Sequence, residues 1–128
     1  EGLEAREVYF LEANVLQNHH GGLILHGGTV YTGTGHNKGF PVVAKLETGE
    51  VAWGPIRNDG SDSAAIAYAD GRLYFRYQKG LVILIEATPE AYRERGSFRI
   101  PDVSKVCRAS PHRKIFRTIT SNVWNDAK

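Results

Sequence analysis

The chain repeats itself, and the repeat length narrows the folds open to it. Aligning "HGGTVYTGTGHNKGFPVVAKLETGEVAWG" with "ADGRLYFRYQKGLVILIEATPEAYRERGSF" superposes Gly28 on Gly71, Val30 on Leu73 and Tyr31 on Tyr74. A register change of two residues in the following loop brings Gly39 onto Gly80 and then Val42 and Val43 onto Ile83 and Leu84. The first copy therefore has the longer loop. The pattern returns after about 41 to 43 residues, long enough for a unit of four short strands.

Turn residues cut each copy into four β-prone segments. In the first these are "GGLILHGG", "TVYTGTG", "FPVVAKLE" and "EVAWG", and in the second "SAAIAYADG", "RLYFRYQKG", "LVILIEAT" and "RERGSFRIP". Gly27-Gly28 and Asp70-Gly71 supply the positive φ of a two-residue hairpin. Thr48-Gly49 closes the hairpin between the third and fourth strands, and Trp53 follows where a large flat ring can pack between neighbouring units. In the second copy Phe98 is expected in the place of Trp53. Composition agrees with an all-β class: 14 Gly, 5 Pro and no Met, with 41% hydrophobic residues to form a core.

These segments resemble the PQQ-like β-propeller repeat proteins, the quinoprotein alcohol dehydrogenase-like superfamily, whose repeats end in a Thr-Gly turn followed by Trp. "QNHHGG", "GHNKGFP", "TGEVAWG", "YADGRLYFRYQKG" and "IEATPEAY" are most similar to a bacterial PQQ-binding-like branch. The resemblance covers residues 7–101. One departure is Lys45, where the family repeat usually has an Asp three residues before the Thr; the second copy keeps an acid there, Glu86.

The resemblance implies an incomplete β-propeller. It divides the chain into the outer end of a preceding blade (1–18), a blade with the Thr-Gly and Trp motif (19–58), a second blade (59–101), and the start of a further blade or a basic tail (102–128). Thr48, Gly49, Trp53, Gly71 and Tyr74 are its structural positions. Closed propellers use four to eight blades, so two blades need the remaining blades of a parent propeller, or further copies, as partners. Exposed blade faces imply self-association in isolation.

Alternating strands bring the connection into the first strand and the loop between the second and third to one end of each unit, where this superfamily has its funnel. The candidate ligand-binding residues there are His19, His20, His36 and Asn37 from the first unit, and Asp59, Asp62, Tyr77 and Gln78 from the second. Imidazoles are common ligands of Zn, Cu and Fe, which makes His20 and His36 metal candidates. Adjacent His19 and His20 point to opposite sides of an extended chain, however, and no carboxylate is fixed beside them. "NDGSDS" lacks the ligand order of a calcium loop and reads as a turn. No Ser-His-Asp order, Cys-His constellation or phosphate loop supports a catalytic assignment.

The function implied by the resemblance is a non-catalytic binding or scaffold segment of a periplasmic or secreted bacterial protein, with a protein or glycan partner. The alternative is part of a PQQ-dependent quinoprotein oxidoreductase whose PQQ, Ca²⁺ and catalytic residues lie in missing blades. The lone Cys107 forms no internal disulfide, and no run approaches the ~18 apolar residues of a membrane helix. The N-terminal "EGLEAREVYF" does not read as a signal peptide. Residues 99–128 carry 7 Lys/Arg against 2 Asp/Glu, but without the aromatic interleaving of nucleic-acid modules, so no nucleic-acid partner is expected.

Overall fold

The computed structural model describes residues 2–19, 21–60 and 62–101. They form two four-stranded antiparallel sheets and no helix. The first sheet comprises β1 (Leu23–His26), β2 (Thr29–Thr34), β3 (Phe40–Lys45) and β4 (Val51–Trp53), and the second β5 (Ala64–Ala69), β6 (Arg72–Tyr77), β7 (Leu81–Glu86) and β8 (Glu94–Arg99). Each sheet is a meander in sequence order.

The two sheets match strand for strand. Tyr31 pairs with Val43 in the first, and Tyr74 with Leu84 in the second, which is the register the sequence alignment requires. The loop change falls between β2 and β3, and both copies keep a positive-φ glycine at its end, Gly39 and Gly80. Gly27, Gly28, Asp70 and Gly71 all have positive φ, as two-residue hairpins need. Beyond those turns, Leu46 N donates to Gly28 O (3.0 Å) and Ala87 N to Gly71 O (2.9 Å), the same bond in each copy. A bulge recurs as well, after Val43 in β3 and after Leu84 in β7.

The register of the fourth strands corrects one expectation. Val43 faces Trp53, whereas Leu84 faces Gly96, so the position matching Trp53 is Gly96. Phe98 pairs with Val82, two residues further along, and is 53% exposed. Counting along the chain placed the ring on the right strand, but the connection from β7 to β8 is longer than that from β3 to β4.

Side chains alternate across a strand, so each sheet has two faces. The front carries Tyr31 and Val43 in the first sheet and, by register, Tyr74 and Leu84 in the second. The back carries Val30, Thr32 and Val42, matched by Leu73, Phe75 and Ile83. The shared core joins the front of the first sheet (Tyr31, Val43) to the back of the second (Leu73, Phe75, Ile83, Ile85). The sheets thus stack in the same sense, front on back, instead of closing face to face as a two-fold sandwich would.

Trp53 fastens this stack at the β4 edge. Its indole N–H donates to Thr88 O at 2.9 Å, and its ring meets Tyr92 edge-on at 5.7 Å. The ring between repeated units is thereby observed, and Tyr92 is its partner.

The back of the first sheet is covered differently. Thr32 and Val42 are fully buried yet lie outside the shared core. Gln17 N donates to Thr34 Oγ1 (2.7 Å) and Asn18 Nδ2 to Thr32 Oγ1 (2.6 Å), tying the N-terminal arm across this face. Residues 2–17, expected to supply the outer end of another blade, carry no strand. Their apolar residues are consecutive, Val8 to Leu11, without the alternation a half-buried strand uses, and Tyr9 and Leu11 press on Gly49. Residues 102–128, with Cys107 and the β-prone "IFRTIT", lie outside the described residues.

Candidate functional site

The β2–β3 and β6–β7 loops emerge at the same end of the stack, beside the chain entering β1 and the link from β4 to β5. The structure joins His19, His36 and Asn37 there. The imidazoles of His19 and His36 stack with centroids 4.5 Å apart and planes 17° apart. Nδ1 of His19 lies 2.8 Å from Oδ1 of Asn37, which places a proton on Nδ1. His36 holds a positive φ, and its backbone bridges to Asn18. All three side chains are exposed. His20 lies outside the described residues.

Beneath them the two sheets approach closely at Gly39. A Cβ there would lie 2.7 Å from the Ala64 backbone nitrogen, so only glycine fits. The space enclosed by His19, Gly33, His36, Gly39 and Ser63 is about 10 Å³, room for roughly one water.

From the second sheet, Gln78 is exposed, and its backbone N–H donates to Ser63 O at 3.0 Å. Asp62 holds a positive φ and its carboxylate takes Lys79 Nζ at 3.1 Å. Asp59 is exposed. These groups border the histidine and asparagine cluster without being joined to it by a described bond.

Tyr77 sits elsewhere. Its side chain is fully buried in the core, and only its hydroxyl reaches the underside of the β2–β3 loop. Its hydroxyl donates to Gly39 O (3.1 Å) and accepts from Asn58 Nδ2 (2.9 Å), while Gly60 N donates to Asn58 Oδ1 (2.9 Å). Burial pushes the phenol up to about 12, against the opposing hydrogen bond from Asn58. Tyr77 is therefore a clasp between the β2–β3 loop, the inter-sheet link and β6. "NDG" was legible as a turn, but nothing in its spacing announced that Asn58 would close on a tyrosine nineteen residues away.

Of the expected metal pair, His20 lies outside the described residues, and His19 does not take its place beside His36. Lone pairs of stacked imidazoles lie in parallel planes, so they do not converge on one ion, and the Nδ1 of His19 already serves Asn37. Among the described residues no group of three or more His, Cys, Asp and Glu side chains could hold a metal ion. Within "NDGSDS", Asp59 is exposed on the link and Asp62 is engaged by Lys79.

At the opposite end a second aromatic pair bridges the sheets. His26 and Tyr68 stack at 4.5 Å, with the Tyr68 hydroxyl 3.3 Å from His26 Nε2. No helix among the described residues is long and apolar enough to cross a membrane. Compared with known proteins, the chain matches no protein-family model and no curated protein sequence.

Proposed function

We propose that the chain is a segment of a β-propeller of the PQQ-like kind and serves as a non-catalytic binding or scaffold element of a bacterial envelope or secreted protein. The observation that carries this reading is the front-on-back stacking of two matched sheets. Repetition in one sense brings equivalent loops to one end, as a propeller does with its funnel. The exposed polar groups gathered there, His19, His36, Asn37 and Gln78, suit a hydrogen-bonding partner such as a glycan or a polar protein surface. Fold resemblance alone leaves function open, and the chemistry of this end favours recognition over catalysis.

The test is PQQ titration of the whole protein to which the segment belongs, with and without Ca²⁺, read by quenching of tryptophan fluorescence. A scaffold gives no saturable quenching. Saturable, calcium-dependent quenching would overturn this reading in favour of a quinoprotein oxidoreductase. Chemical-shift changes at His19, His36 and Asn37 on adding envelope glycans are the positive counterpart.

A further inference from the structure

The two ends of the stack carry opposite charge, and each leaves apolar surface exposed. On the front of the second sheet, Arg72 and Arg76 flank Tyr74 on β6, and Phe98 on β8 is 53% exposed. Beside them Glu86 is shared by Arg95 (2.7 Å) and Arg93 (3.6 Å), and Arg93 also takes Glu90, so four arginines stand against two acids. At the other end, the arm over the first sheet carries Glu4, Glu7 and Glu12 against Arg6. Glu7, Val8 and Tyr9 line an open groove of about 500 Å³ with Leu46 and Glu47. Phe10 of the arm and Leu23 and Leu25 of β1 are 71%, 62% and 59% exposed.

We propose that the basic front of the second sheet docks on the acidic, arm-covered back of the first sheet in a second copy of this chain. This rests on the stacked-sheet reading above and extends it to assembly. Three observations choose the occupant. The contact continues, between copies, the front-on-back order that already joins the two sheets within one copy. The charges are complementary, which orients the approach and disfavours the reversed pairing. Residues 102–128 of the same chain carry six Lys/Arg against two Asp, so they would bring positive charge to an already positive face.

Such a head-to-tail contact uses two different surfaces, so it closes only if the rotation per copy divides a full turn.

The experiment is sedimentation of the 128-residue chain over a concentration series at 50 and 500 mM NaCl, with amide exchange recorded in parallel. Association about tenfold or more weaker at high salt is expected, because exposed charges beyond a Debye length are screened. R72E/R76E and, separately, E7K/E47K should each abolish it, and mixing the two variants should restore a complex through the swapped charges. A monomer at all concentrations overturns the proposal while protected sheets leave the stacked-sheet reading standing. A monomer whose Tyr74 face is protected assigns that face to residues 102–128 and also overturns it. Association indifferent to both charge reversals is non-specific and overturns it too. Loss of amide protection in both sheets would sink the stacked-sheet reading and this one together.

Discussion

Tyr77 shows how one polar atom can hold three pieces of chain. Its hydroxyl ties Gly39 of the β2–β3 loop and Asn58 of the link to β6 inside the core, where an unpaired partner costs about 1–3 kcal/mol. Tyr77→Phe leaves the Gly39 carbonyl and the Asn58 amide short of a partner, so unfolding in urea should lose about that much stability. The phenol adds a pH signature. Its folded-state value is raised from 10.0 to about 12, so its contribution is complete below pH 10 and is lost as pH rises toward 12. The difference in stability between wild type and Y77F should therefore shrink across that window, while an unchanged difference would deny the burial. Gly60 lies against the same ring: a Cβ there would overlap the Tyr77 ring carbons. Gly60→Ala should cost about 1–3 kcal/mol through overpacking, read as a lower thermal midpoint.

The hairpins and the bulge are where local sequence and tertiary packing meet. Gly-Gly and Asp-Gly announced the β1–β2 and β5–β6 turns because few other residues accept those φ angles, and both were legible. Thr48-Gly49 was legible for the same reason: Gly49 has φ +71°, and Glu50 N donates to Thr48 Oγ1. The place of Phe98 was not legible, since the longer connection from β7 to β8 moves the equivalent position to Gly96 without a residue signal. Nor was the arm, whose consecutive apolar residues suit a strand or a strap equally until a neighbour is seen.

Lys45 and Glu86 occupy the same place in the two sheets with opposite charge. Each finds a complement, Lys45 in Glu50 at 2.6 Å and Glu86 in Arg95 at 2.7 Å. The Arg95 hydrogen bond, helped by Arg93, holds the Glu86 carboxyl below its usual range against a smaller opposing effect of burial. Its stabilisation is present above about pH 4.5 and disappears as pH falls through the lowered folded-state value. Glu86→Gln should lose that contribution at pH 7, a small loss because the pair is exposed, and match wild type at low pH, so its acid limb is slightly flatter. Trp53→Phe keeps the apolar ring but loses the bond to Thr88 O, and about 1 kcal/mol in denaturant unfolding is the expected loss.

At the scale of the molecule, two similar sheets became one body because the front of one fits the back of the next. That arrangement follows from the side-chain sets. The back of the second sheet carries Leu73, Phe75 and Ile83, an apolar surface that takes Tyr31 and Val43, whereas the back of the first carries Thr32, Thr34 and Val42 and is bonded by the arm. The repeat period and four-strand division were readable from the chain, since both depend on turns and alternation. The site was readable only in outline. Topology gathered His19, His36 and Asn37 as expected, but sent Tyr77 inward, because alternation along β6 puts it on the face of Leu73 and Phe75.

The same alternation decides the most direct test of the stacking. In a nuclear Overhauser spectrum of the methyl-labelled chain, the account predicts that Tyr31 and Val43 contact the set formed by Leu73, Phe75 and Ile83, with Trp53 against Tyr92. Contacts from Tyr31 and Val43 to Tyr74 and Leu84 instead would mean that the sheets meet front to front, and the stacked-repeat account would be wrong.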